Sequence, residues 1–430
     1  MLSEELNKVM TQVGKGTPMG ELLRRYWHPI AAETEFDDNP IKPVRILGED
    51  LVCYRDRSGT YGLVERQCAH RRADLAYGWV ESCGIRCSYH GWAFNEQGQC
   101  ISQPYEDVSK GERNRAFRES IHITAYPVKT LAGLVFAYLG PQPAPELPRW
   151  ELFDYDNGFK QIIFADVPCN WLQAAENDID PVHFEWLHDN WSLVQRGSTE
   201  AAPRHLKIEV TEWEFGFQYS RVRERIGSPD FPRLHIMPNI FMPGGTHFEY
   251  RVPIDDEHTL SVVWAWEAVP LEQRPYHQDR IPYWYAPIKD ERGRWITTHV
   301  INQDTVGWVG QGVIADRTRE HLASSDIGVV AFRRRLKADM EAVARGEDPS
   351  GVIRDPAKAA LVRWPDDRRR VIERGVPQAE WLKLLQQRQA RMLTPNDYFI
   401  FYAGQPDHIR ALYEEAMGLR QPAYRESPSS

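Results

Sequence analysis

The sequence has no uninterrupted apolar run approaching the roughly 18 residues that a membrane span requires, so no membrane association is expected. Residues 1–17 are polar and charged with no apolar stretch, so no secretory leader is expected and a cytoplasmic location is. Positive charge is not in excess. Lys and Arg number 52 against 61 Asp and Glu, a formal charge of −9, which argues against a nucleic-acid partner. The basic triplets at 333–335 and 368–370 stand among helix formers or beside Asp366 and Asp367, as solvated faces and local ion pairs do. Internal repeats are absent. Cysteine is scarce, at six in 430 residues. In a reducing compartment stable disulfides are not expected, and closely spaced Cys and His point to a metal first.

Aromatic bulk is plentiful: 15 Trp, 18 Tyr and 16 Phe can furnish a large core and pocket walls. The first ~30 residues carry helical spacing, with Thr17 and Pro18 as cap and first-turn residues ahead of Met19, Leu22, Leu23 and Tyr26. Residues 41–140 change to short β-like runs (44–47, 51–54, 134–139) punctuated by Gly59, Gly62, Gly91 and Gly98, the texture of a small all-β domain. The Pro-rich run within 141–149 can join neither a sheet interior nor a helix and is the natural linker. Residues 150–420 read as α+β. Strands are expected at 206–210, 217–222, 248–252 and 260–265 in an antiparallel sheet, with long helices at 325–345 and 378–392. The architecture expected is therefore α+β overall: a helical segment over 1–40 packed on the larger domain, a small β domain, a linker, a large α+β domain, and a flexible tail at 421–430.

Two constellations carry chemistry. The first is Cys68-Ala69-His70, sixteen residues, then Cys87-Ser88-Tyr89-His90. Each half lets a hairpin tip present one thiolate and one imidazole. Two Cys on one iron and two His on the other is the donor set of a Rieske [2Fe–2S] centre. Zinc is the competing metal for two Cys and two His. Zinc modules usually pair Cys with Cys and His with His, whereas here the two alternate. Gly91-Trp92 adds a close turn and an aromatic cover. Cys53, Cys83, Cys100 and Cys169 are expected as small buried or strand residues.

The second is His183 and His188, in Asp180-Pro181-Val182-His183-Phe184-Glu185-Trp186-Leu187-His188. Five residues apart is about 140° off a common helical face, so a π-like distortion or a bend near Pro181 is needed to align them. Two His and a carboxylate make the facial triad of non-haem Fe(II) oxygenases. The best candidate for the distant carboxylate is Asp304.

The runs Cys68-Ala69-His70-Arg71 and Cys87-Ser88-Tyr89-His90-Gly91-Trp92 resemble the Rieske motif of aromatic ring-hydroxylating oxygenases. Thr11-Gln12-Val13-Gly14, Tyr26-Trp27-His28-Pro29, the segment from Asp304 through Gly310-Gln311-Gly312, and Asp316-Arg317-Thr318-Arg319-Glu320-His321-Leu322 are similar to the phthalate-dioxygenase class of that family. The family often has Gly after the His-Arg pair; this chain has Arg72. The resemblance spans nearly the whole chain.

The resemblance implies a Rieske domain followed by a catalytic domain of helix-grip type, an antiparallel sheet wrapped around helices. It implies Cys68 and Cys87 on the inner iron, His70 and His90 on the outer one, and mononuclear Fe(II) held by His183, His188 and Asp304. It also implies that Asp180 bridges a cluster His of one subunit to an iron-bound His of the next, with Asp178 and Asn177 as alternatives. A homotrimer or hexamer would follow. Electrons would come from NAD(P)H through a separate ferredoxin and/or flavin reductase, with O2 as co-substrate. Tyr283-Trp284-Tyr285-Ala286-Pro287 and Gly293-Arg294-Trp295 are similar to O-demethylating members of the class, which implies hydroxylation of a methoxylated aromatic acid with formaldehyde release. The alternative is cis-dihydroxylation of a phthalate-type acid. An acidic substrate needs a cationic pocket contact; Arg251, Arg204, Lys207 and His247 are candidates, each readable instead as an outward-facing residue.

Overall fold

The computed structural model describes residues 1–224, 231–391, 394 and 397–419. The tail at 421–430 and Met392, the last residue of one expected helix, lie outside the described residues. Two small antiparallel sheets are built between residues 41 and 126. Ile41–Ile46, Glu49–Arg55, Tyr61–Glu65 and Ala125–Tyr126 form one, and Trp79–Val80, Ile85–Arg86, Ala93–Phe94 and Cys100–Ser102 the other. At the turn after Glu81, Gly84 has φ +80°, and a Cβ there would stand 2.1 Å from the Phe94 carbonyl oxygen, so only glycine closes this hairpin.

A third sheet joins Trp27–Ala32 to Leu134–Tyr138 and Val128–Leu131. Helices occupy Glu4–Thr11 and Pro18–Leu23, and the Thr17 hydroxyl accepts from the Gly20 N–H as the capping signal predicts. The helical expectation for the first ~30 residues stops short, however. Trp27–Ala32 is a strand whose six residues are all buried. Its partner lies about a hundred residues downstream, and tertiary pairing overrides the local helical spacing.

The large sheet has eight strands in the order His205–Trp213, Gly216–Arg223, Arg233–Ile236, Ile240–Met242, His247–Pro253, Thr259–Ala268, Gly158–Val167 and Tyr283–Tyr285. Gly158–Val167 pairs with Thr259–Ala268 over ten residues in unbroken register. Tyr283–Tyr285 runs parallel to Ile162–Phe164, so the sheet is mixed where a wholly antiparallel one was expected. His205–Trp213 at the edge alternates exposed and half-buried residues, whereas His247–Pro253 is buried at every position. Burial of both faces reflects cover on both sides of the sheet.

The helices Trp171–Asn177 and Val300–Val309 pack on each other, and the first also packs on His247–Pro253. Longer helices at Ile327–Ala344 and Gln378–Arg391 match their expected positions closely. Residues 141–149 form no element, but they are pinned in place. The Trp27 indole N–H donates to the Pro145 carbonyl at 3.0 Å, and Glu146 and Arg149 N–H groups donate to Ile353 and Ala359 carbonyls. Trp150 then stacks on Trp364 at 5.5 Å and meets Phe215 edge-on, contacts worth about 0.5–1.5 kcal/mol each beyond area burial. Cys53, Cys68, Cys87, Cys100 and Cys169 are buried; Cys83, expected as a buried or strand residue, is exposed in the bend before Gly84. Among the described residues no helix is long and apolar enough to cross a membrane.

Candidate metal centres

The first centre sits on two matching loops. One follows Tyr61–Glu65 and carries Cys68 and His70; the other follows Ile85–Arg86 and carries Cys87 and His90. In the first, Cys68 N–H donates to the Ala73 carbonyl and Arg72 N–H returns to the Cys68 carbonyl. In the second, Cys87 N–H donates to Trp92 and Gly91 N–H returns to Cys87. Arg72 and Gly91 are thus equivalent positions, with φ of +60° and +74°. The arginine holds a left-handed conformation that glycine adopts freely.

These loops bury the two thiols and leave the two imidazoles at the surface. The His70 and His90 rings are 4.5 Å apart at 71°, and His70 stacks on the Trp92 indole at 4.6 Å. Burial, added to the nearby Cys87 thiol, pushes the Cys68 thiol up to about 12. Two inward sulfurs and two outward imidazoles fit a cluster with unlike irons, and a bound metal would replace the thiol protons.

At the second centre the chain solves the five-residue spacing as its periodicity required. Trp171–Asn177 ends, the backbone breaks around Pro181, and Phe184–Asn190 is a π-helix entered from His183. His183 and His188 therefore share a face. The helix Val300–Val309 brings Asp304 to them. The Asp304 Oδ1 atom is 3.7 Å from His183 Nε2 and 3.1 Å from His188 Nε2. Among the described residues this is the one trio of His, Cys, Asp or Glu whose donor atoms all lie within 4.8 Å. His188 Nε2 is buried with no aligned hydrogen-bond partner, which suits a metal at that point. Burial holds His183 down at about 3, so it is a neutral imidazole. Burial also opposes charge on His188, yet the Asp304 carboxylate beside it raises it overall. Burial likewise works against ionisation of Asp304, but the two imidazoles and Arg251 hold it below the usual range. Two imidazoles and a carboxylate converging on one point fit a divalent cation.

The surroundings orient these donors. His188 Nδ1–H donates to Gln303 Oε1 at 3.0 Å, and Gln303 donates in turn to the Ser192 hydroxyl at 3.0 Å. The Asn177 amide reaches His183 Nε2 at 3.2 Å and Asp304 at 3.3 Å. Asp180 is partly exposed, with Oδ2 at 3.9 Å from His183 Nδ1, and burial pushes its carboxyl up to about 6. Asp178, one of its alternatives, points away into the core.

Arg251 is not at a pocket wall. It is 1% exposed, bonded to Asp178 Oδ1 at 2.9 Å, to Glu249, and to the Ser261 hydroxyl, and it lies 4.5 Å over the Trp308 ring. His247 is buried against Glu249, while Arg204 and Lys207 face outward onto Glu224 and Glu209. Gln303 and Ser192 as site neighbours, and the burial of Arg251 against Asp178 and Glu249, were invisible in the sequence. Gln303 adjoins Asp304, and that adjacency was the one available signal.

Residues 26–126 match the family described as Rieske [2Fe-2S] domain, and residues 271–364 match the family described as LigXa C-terminal domain like. The chain belongs to the Rieske oxygenases, as an oxygenase subunit: an oxidoreductase of a family that uses iron and O2, works with a ferredoxin or reductase, and acts on aromatic compounds. Among its relatives is the 5,5'-dehydrodivanillate O-demethylase oxygenase subunit of Sphingobium sp. (strain NBRC 103272 / SYK-6), 49% identical, with 98% of each chain covered. The phenoxybenzoate dioxygenase subunit alpha of Ectopseudomonas oleovorans is 38% identical over 82% of this chain and 89% of its own. The phthalate 4,5-dioxygenase oxygenase subunit of Pseudomonas putida is 31% identical over 82% and 89%. The fold is shared with Pseudomonas putida CBB5 NdmA with caffeine (TM-score 0.55, 19% identity, 80% and 96% covered) and with dicamba monooxygenase bound to dicamba (TM-score 0.53, 17%, 76% and 99%).

Proposed function

We propose that this chain removes a methyl group from a methoxylated aromatic acid of the dehydrodivanillate type. The observation that carries the reading is the convergence of His183, His188 and Asp304 in a chain that resembles an O-demethylase subunit along nearly its whole length. The net reaction consumes the methoxyarene, O2, two electrons and two protons, and yields the phenol, formaldehyde and water. Hydroxylation of the methoxy carbon gives a hemiacetal, which collapses on its own to phenol and formaldehyde.

When bound, a [2Fe–2S] cluster and a mononuclear Fe(II) supply one-electron relay and O2 reduction respectively. Cys68, Cys87, His70 and His90 hold the first, and His183, His188 and Asp304 the second. Three protein donors would leave the metal's remaining positions for O2 and substrate. Gln303 fixes the tautomer of His188, so that Nε2 faces inward. Trp92 screens His70 from water on one face.

Asp180 accepts from a cluster imidazole of a neighbouring subunit and orients His183, which makes a homotrimer or a stack of trimers the working assembly. Residues 41–140 are the electron-receiving domain, 141–149 the connector and 150–420 the catalytic domain. NAD(P)H feeds the cluster through a separate ferredoxin and/or flavin reductase, and the protein works in the cytoplasm.

The test supplies 5,5'-dehydrodivanillate with a ferredoxin and reductase and measures products. Formaldehyde in step with substrate loss is expected. A cis-diol without formaldehyde would select dihydroxylation instead; the phenoxybenzoate and phthalate relatives are named dioxygenases.

A further inference from the structure

We infer that Arg388 recognises the carboxylate of the substrate and that Glu267 holds its guanidinium until the substrate arrives; this rests on the reading of the substrate as an aromatic acid. Arg388 lies near the end of the helix Gln378–Arg391 and is the point where three cavities meet. One, of about 860 Å³, is also lined by His188 and by its Nδ1 partner Gln303, and so meets one of the three proposed iron ligands. A second, of about 300 Å³, runs inward past His247 and Phe401, and a third, of about 700 Å³, opens past Trp381. Arg388 lines all three, and Glu267 lines the second and third.

The first cavity falls within the range of about 300–1,000 Å³ usual for small-molecule sites. Its walls combine Leu193, Leu384 and Ile400, which suit ring faces, with the guanidinium of Arg388. A planar guanidinium takes a carboxylate through two parallel hydrogen bonds, which a lysine cannot do. The Arg388–Glu267 pair is at 2.9 Å with about a third of each side chain still exposed (32% and 28%). The pair is part-buried and Tyr413 interacts with both partners, so a substrate carboxylate competes with Glu267 for the guanidinium. Of the cations considered from sequence, Arg251 is saturated and sealed, Arg204 and Lys207 face away, and His247 lines the second cavity but is engaged by Glu249.

The experiment measures binding to the anaerobic holoenzyme by calorimetry, with 5,5'-dehydrodivanillate and its dimethyl ester as probes. The unmodified protein should prefer the acid. Arg388→Gln should weaken the acid by about tenfold or more and the ester by less than about twofold. Arg388→Lys should fall between, and Glu267→Gln should tighten the acid. Cluster absorbance and melting temperature report whether each variant is folded; if Arg388→Gln is not, Arg388→Lys and Glu267→Gln decide. Equal weakening of acid and ester, no change in either, or an unmodified protein that binds both alike would overturn the inference. A cis-diol product would overturn only the O-demethylation reading, because the acid–ester contrast is read without turnover.

Discussion

Replacing Arg251 with Met tests whether the ground beneath the proposed iron site is held by one buried cation. Arg251 pairs with Asp178 and Glu249, which are 0% and 5% exposed, and its removal leaves Asp178 without a cation and Glu249 with His247 alone. Breaking a buried pair from one side costs about 3–5 kcal/mol, because the remaining charge has lost both water and partner. Unfolding entropy near about 2.1 cal/mol/K per residue, over a catalytic domain of roughly 270 residues, gives about 0.6 kcal/mol/K. The expected fall in melting temperature of that domain is therefore about 5–9 °C. Met preserves much of the volume, so the loss is electrostatic rather than a cavity. Adding Asp178→Asn and Glu249→Gln should recover most of it, since removing every charge of a buried group is often neutral. Scanning calorimetry of the three proteins checks the argument. A drop below about 2 °C for Arg251→Met, or no recovery in the triple variant, would refute it.

Gln303→Leu should weaken mononuclear iron binding by about 10–100-fold while leaving cluster absorbance unchanged, read by chelator competition, because His188 loses the acceptor that fixes its orientation. His28 is buried, and burial lowers it to about 4 while its Nε2–H donates to the Leu23 carbonyl. Its folded value lies below the unfolded 6.5, so its contribution is complete above about pH 6.5 and is lost as pH falls toward about 4, by about 3 kcal/mol. Denaturant titrations from pH 4.5 to 7.5 should show that slope, and His28→Gln should reduce it by about one proton. The exposed Cys83 should react with a maleimide in the folded holoprotein without bleaching of the cluster, whereas modification of Cys68 or Cys87 should require unfolding.

Much of the site was legible because its chemistry is written locally. Each Cys–His pair lies within four residues, and the five-residue gap between His183 and His188 already called for a π-like distortion or a bend near Pro181, of which the π-helix is found. Four of the eight strands of the large sheet announced themselves through β-branched and aromatic runs; Gly158–Val167, Arg233–Ile236, Ile240–Met242 and Tyr283–Tyr285 did not. What sequence could not give is set by distant partners. Trp27–Ala32 has helix-like neighbours and becomes a strand because Leu134–Tyr138 lies beside it. Tyr283–Tyr285 is too short to reveal a parallel pairing. Arg251 carries no mark distinguishing a sealed cation from a pocket wall until Asp178 and Glu249 close around it. Arg388 reads as one more charge on an amphipathic helix, and only the cavities give it a role.

The most direct measurement is iron content with paramagnetic resonance on protein purified without oxygen. The unmodified chain should hold about three irons and, once reduced, give a Rieske-type signal. Substituting Ala at His183, His188 and Asp304 together should lower iron to about two per chain with that signal at full intensity. Zinc in place of iron, no such signal, or unchanged iron in the triple variant would contradict the assignment.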